Sequence, residues 1–142
     1  MRILCVCRGN TCRSPMAEGV LRTRLPAARL DSAGTHVRNA GGLPDPRGLQ
    51  AASTRGYDNS ALRSRQVLAA DFADFDLILA MDEMNLADLC NACPSGAGCK
   101  IRLFDAQGRD IPDPYHGGPA DYEHALDMIE EAADALLATL VN

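Results

Sequence analysis

Apolar and polar positions alternate in blocks along this chain, and the blocks read as strands and helices in turn. Residues 3–7, Ile3-Leu4-Cys5-Val6-Cys7, form an unbroken apolar run of the kind a central parallel strand shows when helices cover both its faces. Residues 15–25 place Met16, Val20, Leu21 and Leu25 at helical spacing, with Pro26 closing the segment. A second strand is predicted over 29–33, ended by Gly34, and a helix over 47–55, ended by Gly56-Tyr57. Residues 36–43 are glycine-rich and irregular between them. The apolar run at 75–81, flanked by acids, predicts a third buried strand, followed by a helix over 85–90 and a fourth strand over 100–104. A final helix over 119–141 buries Leu126, Ile129, Ala133, Leu136 and Leu140, with Pro119 and Asp121 suiting its first turn. Its Glu130, Glu131 and Asp134 read as a solvated face. Strands alternating with helices predict an α/β fold, a parallel sheet flanked by helices in one domain spanning 1–142.

The chemistry lies between the first strand and the first helix, in Cys7-Arg8-Gly9-Asn10-Thr11-Cys12-Arg13-Ser14-Pro15. Ser14 suits the N-cap and Pro15 the first helical position, with Glu18 just inside, near the positive end of the helix dipole. A strand-to-helix loop of this kind aims backbone N–H groups into one concavity at a helix N-terminus, a natural seat for a tetrahedral dianion. Gly9 allows close backbone approach, and Asn10 holds the turn by side-chain hydrogen bonds or by a left-handed conformation. Arg13 brings a planar fork that grips two phosphate oxygens at once. Cys7 is then left beneath the guest, where the same field favours an attacking thiolate, and Ser14 can donate a hydrogen to its sulfur. The competing reading of Cys7 is a buried strand thiol like Cys5.

A thiolate that displaces phosphate from an ester oxygen leaves that oxygen in need of a proton, and a carboxylic acid on a loop can give it. Asp105, Asp110, Asp113 and Asp121 all qualify by residue type alone.

Composition narrows the setting. The 142 residues, 46% of them hydrophobic, suffice for a core without staples. A net charge of −5 argues against non-specific binding to nucleic acid or anionic membrane, so any phosphate affinity must be local. No stretch approaches a membrane span and the N-terminus turns polar too soon for a secretory signal, which predicts a cytoplasmic protein. The six cysteines then read as thiols. Cys90, Cys93 and Cys99 supply only three local ligands and no nearby histidine, so no metal and no cofactor is expected. Nothing in the patterning demands more than a monomer.

The nine-residue loop resembles the phosphate loop of the low-molecular-weight protein tyrosine phosphatases, bacterial type. The segments Asp31-Ser32-Ala33-Gly34-Thr35, Pro44-Asp45-Pro46-Arg47, residues 74–82 and Pro112-Asp113-Pro114-Tyr115 agree with that family. The resemblance implies a three-layer sandwich around a four-stranded parallel sheet and a phosphorylated protein as partner. It implies Cys7 as nucleophile and Arg13 as phosphate clamp, with Arg8, Gly9, Asn10, Thr11, Cys12 and Ser14 lining the phosphate seat. Asp113 becomes the acid, and then the base for the water that hydrolyses the phosphocysteine. Ser32 supports the loop through Asn10, and Tyr115 with His116 lines the cleft mouth. It further implies a reversible Cys7–Cys12 disulfide.

Some positions depart from the family pattern. The irregular segment that walls the cleft carries no aromatic residue here, and His36 is either wall or solvated. Leu62 stands where some relatives have a histidine that braces the loop asparagine. Arg65 matches a structural arginine, with Asp82 as a reasonable partner. The segment before Asp113 is short, which predicts a tightly tethered acid loop. Thr11 resembles relatives that act on phosphoarginine, so a protein-arginine phosphatase is the alternative to phosphotyrosine. Arsenate reduction, with Cys90 and Cys93 as relay thiols, and a non-catalytic phosphate-binding module are further alternatives.

Overall fold

In the computed structural model, which describes residues 1–97 and 100–140, strand β1 (Arg2–Cys7) lies inside a four-stranded, wholly parallel sheet. Strand β2 (Arg29–Gly34) flanks it on one side, and β3 (Leu77–Ala80) and β4 (Lys100–Leu103) on the other, in the order β2-β1-β3-β4. The predicted architecture is present.

The period of two in a strand explains the two layers. Ile3, Cys5 and Cys7 point into one apolar cluster with Met16, Val20 and Leu21 of α1 (Arg13–Arg24), Ala52 of α2 (Pro46–Thr54), and Tyr122, Leu126 and Ile129 of α5 (Pro119–Leu140). Leu4 and Val6 point the other way, into a cluster with Phe72 of α3 (Asp71–Asp74) and Leu89 of α4 (Glu83–Ala92). Strand β3 alternates likewise, Leu79 joining the first cluster and Ile78 the second. The sheet therefore separates two cores, and the carboxyl end of β1 opens between them.

Three local features differ from the sequence reading. Helix α1 starts at Arg13, with Cys12 at its N-cap and no side-chain cap, so Ser14 lies inside the helix and its hydroxyl is free for another partner. Helix α3 has four residues, too short to leave a periodic signal. Glu130 is not solvated: it meets the guanidinium groups of Arg24 and Arg55 and accepts from Tyr57 Oη at 2.5 Å, because α5 packs this face against α1 and α2. Asp134 and Glu131 remain largely exposed and pair with Arg24 and Arg109.

Capping at the other helix starts follows side-chain chemistry. Asp45 accepts from Arg47 N at 2.9 Å with Pro46 at the first position of α2, and Asp82 accepts from Asn85 N at 2.8 Å at α4.

Candidate active site

Cys7 ends β1 and is 3% exposed, at the floor of the loop leading into α1. Among the described residues, no backbone N–H from Arg8 to Ser14 has an acceptor within the protein. An uncapped helix start and a row of free donors in one loop make a seat for an anion. Asn10 takes the left-handed conformation, φ 55°, which turns the loop back on itself. A Cβ at Gly9 would touch only Thr11 Oγ1, at 3.5 Å, so the chain itself does not demand glycine there.

A hydrogen-bonded chain braces this loop from below. Asn10 Nδ2 donates to Ser14 Oγ at 2.8 Å and to Ser32 Oγ at 3.0 Å, the support expected of Ser32. Ser14 Oγ sits 3.0 Å from Cys7 Sγ, nearer than the carbonyl it donates to, Ala33 O, at 3.4 Å. Ser32 Oγ in turn donates to Glu18 Oε1 at 2.7 Å. Glu18 is thus a buried member of this chain rather than a first-turn partner of the helix dipole; burial pushes its carboxyl up, against the pull of Ser32 and Arg22. With Leu62 in place of a histidine, Asn10 is held by the neighbouring segment: its Oδ1 accepts from Arg65 N at 2.9 Å and its carbonyl from Ser64 Oγ at 2.7 Å.

Arg13 is 3% exposed and points along the loop floor. Its Nη1 donates to Asp82 Oδ2 at 2.7 Å and to Ile111 O at 2.9 Å, while Nη2 lies 3.7 Å from Asp113 Oδ2. Burial pulls this guanidinium down, and the charges of Cys7, Asp82 and Asp113 with the Asp82 hydrogen bond outweigh it, so the group is held as a cation. Asp82 is therefore the partner of Arg13, not of Arg65. Arg65 instead pairs with Asp31 at 3.0 Å and Asp71 at 3.0 Å, because the α3 turn brings Asp71 under it.

The loop that carries Asp113 is tied down at both ends. Ile111 is fully buried and its N–H donates to Met81 O at 2.8 Å. Asp113 is half-exposed and its Oδ1 accepts from Tyr115 N at 3.2 Å. Beyond it, Arg47 donates to Tyr115 O at 3.0 Å and Gly117 O at 3.3 Å. The sequence assigned Arg47 no role; its signals were the agreement of Pro44-Asp45-Pro46-Arg47 with the family pattern and a helix start at Asp45-Pro46.

A family model described as low molecular weight phosphotyrosine protein phosphatase matches residues 2–142. The chain belongs to this family. A human low molecular weight phosphotyrosine protein phosphatase is 39% identical, covering 95% of this chain and 92% of its own length. The crystal structure of a low molecular weight phosphotyrosine phosphatase from Vibrio cholerae O395 superposes with a TM-score of 0.92 at 36% identity, covering 100% of this chain and 97% of the other. A solved structure of a Drosophila arginine phosphatase superposes with a TM-score of 0.92 at 35% identity, covering 100% and 99%.

In this member of the phosphatase family, Tyr115 is half-exposed, with the His116 ring edge-on at 5.0 Å. His36 supports the loop rim through its backbone, donating from N to Arg8 O at 2.8 Å, while its half-exposed ring faces Thr35 Oγ1 and Asp88. Cys5, Cys7, Cys12, Cys90 and Cys93 are free thiols. Cys12 is buried 3.4 Å from Tyr122 Oη, and burial pushes its thiol up. Cys99 lies outside the described residues, and among those described no three His, Cys, Asp or Glu side chains gather as metal ligands.

Proposed function

We propose that the chain hydrolyses phosphotyrosine in proteins through a phosphocysteine intermediate on Cys7. The observation that carries this reading is the row of N–H groups from Arg8 to Ser14, following Cys7, that have no acceptor among the described residues, with Asp113 Oδ2 3.7 Å from Arg13 Nη2. The Cys7 thiolate attacks phosphorus, the bond to the phenolic oxygen breaks, and Asp113 gives that oxygen its proton. The loop amides and the Nε and Nη2 edge of Arg13, whose Nη2 also lies 3.7 Å from Asp113 Oδ2, hold the equatorial oxygens as charge moves onto them. Ser14, 3.0 Å from the sulfur, donates to it as it attacks and again as it leaves. In the second half, the Asp113 carboxylate takes a proton from water, which attacks phosphorus, releasing inorganic phosphate and the thiolate.

Cys90 and Cys93 are poor relay thiols for arsenate reduction, since Cys93 packs against the core on the other face of the sheet from Cys7. No helix among the described residues is long and apolar enough to cross a membrane. The reading carries a cytoplasmic setting, a monomer, and a reversible Cys7–Cys12 disulfide that shields the nucleophile from over-oxidation.

One observation favours phosphoarginine as a second reading. Among the described residues, Thr11 Oγ1 has Cys12 Sγ, at 3.8 Å, as its hydrogen-bond partner and can also accept from a guanidinium; a fold neighbour is an arginine phosphatase. Phosphate release from matched phosphotyrosine and phosphoarginine peptides, with Cys7→Ser as blank, decides. Faster phosphotyrosine turnover supports the main reading, faster phosphoarginine turnover replaces it, and turnover of neither removes both.

A further inference from the structure

Two loops carry the reacting groups, one from each end of the chain, and the Asp45–Arg47 pair links them. Arg47 Nε and Nη2 hold Asp45 as a fork, at 3.1 Å to Oδ1 and 3.0 Å to Oδ2. Asp45 N donates to Thr11 O at 2.9 Å, so the Asp45–Arg47 pair is fastened to the phosphate loop. Toward the other side, Arg47 donates to the carbonyls of Tyr115 and Gly117, and its guanidinium lies 5.6 Å from the Tyr115 ring centre and 4.9 Å from that of Tyr122. Tyr115 N then holds Asp113 Oδ1.

A local helix-start role would be complete with the Asp45 fork alone. The remaining donors reach a segment 68 and 70 residues away. Among the described residues, the half-exposed Asp113 side chain has one hydrogen bond, from Tyr115 N, and one ion pair, the 3.7 Å approach to Arg13, so its position depends on what holds its loop. A planar fork that serves a carboxylate, two carbonyls and two ring faces together has no lysine equivalent.

We propose, resting on the phosphatase reading above, that Arg47 is the positioning residue that holds the acid loop at its working distance from the phosphate loop and thereby sets proton delivery by Asp113. Its removal leaves the phosphate seat intact and degrades the two steps in which Asp113 moves a proton, protonation of the leaving oxygen and activation of the water, of which kcat/KM reads the first. A small misplacement of a catalytic group is enough to lose much of its effect.

The test uses the full chain with Arg47→Lys and Arg47→Met, and aryl phosphates whose phenols span a range of acidity. A complete general acid contributes about 10²–10⁴-fold, so a displaced one is expected to cost phenyl phosphate about tenfold or more in kcat/KM. The more acidic p-nitrophenol leaves without help, so its phosphate is expected to stay within about threefold of the unmodified protein. Inhibition by inorganic phosphate should be unchanged. An equal loss across all leaving groups, or no loss, overturns the proposal. Should Arg47→Met fail to fold, Arg47→Lys carries the test, because it keeps the charge and stem and loses only the fork. Asp113→Asn is measured alongside: if that variant shows no leaving-group dependence, the acid assignment fails and the phosphatase mechanism must be revised whatever Arg47 does.

Discussion

Arg13 Nη1 meets Asp82 Oδ2 at 2.7 Å with the arginine almost wholly enclosed. This contact fixes which edge of the guanidinium is left for an anion, since Nη1 is committed to Asp82 and Ile111 and the Nε and Nη2 edge is not. Removing the carboxylate leaves a buried cation without its main counter-charge. Asp82→Ala is expected to lower unfolding free energy by about 2–4 kcal/mol, below the upper range for buried pairs because Asp82 retains some solvent contact. It should also weaken competitive inhibition by phosphate. Urea unfolding and phosphate inhibition measured on one preparation check both; a variant as stable as its parent would mean that water replaces Asp82.

Cys7 and Asp113 separate the two halves of the proposed reaction. Cys7→Ser is expected to abolish turnover of every substrate while still binding phosphate, because the loop amides and Arg13 remain. Asp113→Asn should retain burst formation of phosphocysteine from p-nitrophenyl phosphate and lose about 10²–10⁴-fold on phenyl phosphate. Rapid-quench measurement of the intermediate distinguishes them, and a Cys7→Ser protein that still turned over would remove Cys7 as nucleophile.

Glu18 makes a pH prediction whose sign follows from its surroundings. Burial raises its carboxyl in the folded protein above the unfolded value, despite Ser32 and Arg22. Between the two values the folded state binds more protons than the unfolded chain, so this group's contribution to stability falls as pH rises through that window. Gln at this position keeps an acceptor for Ser32 and removes the titration. The stability of Glu18→Gln relative to the parent is therefore expected to improve as pH rises from the acidic to the neutral side, read from urea midpoints across that range. A difference independent of pH would show that Glu18 does not titrate as its burial requires.

The strands and the phosphate loop were legible because each writes a short local signal: continuous apolar runs for β1 and β3, and a nine-residue loop whose types match one chemistry. Long-range pairing was not. Arg65 and Asp82 looked complementary in sequence, yet Arg65 lies beside Asp31 and Asp71 while Asp82 faces Arg13, and no spacing distinguishes one carboxylate from another. Ser14 illustrates the converse. Its type predicts a cap, but an uncapped helix start leaves donors for an anion, and its hydroxyl serves Cys7 instead. Arg47 stayed hidden for the same reason, since its partners Tyr115 and Gly117 are backbone carbonyls and carbonyls carry no sequence signature.

Gly34 shows how closely β2 supports the loop. A Cβ there would stand 2.7 Å from Arg8 O, 2.7 Å from Val37 Cγ2 and 3.0 Å from Asn10 N, two of the three being loop backbone that cannot yield without moving the phosphate seat. Gly34→Ala is expected to cost about 1–3 kcal/mol by overpacking and to weaken phosphate inhibition together with kcat/KM. Gly56 is the matched control: its φ is +90° with nothing within 4 Å of an added Cβ. Gly56→Ala should cost about 1 kcal/mol through backbone strain alone and leave kcat/KM unchanged. Urea unfolding and steady-state kinetics on the two variants check the contrast. Equal kinetic losses in both would show that general destabilisation, not displacement of Arg8 and Asn10, explains the effect at Gly34.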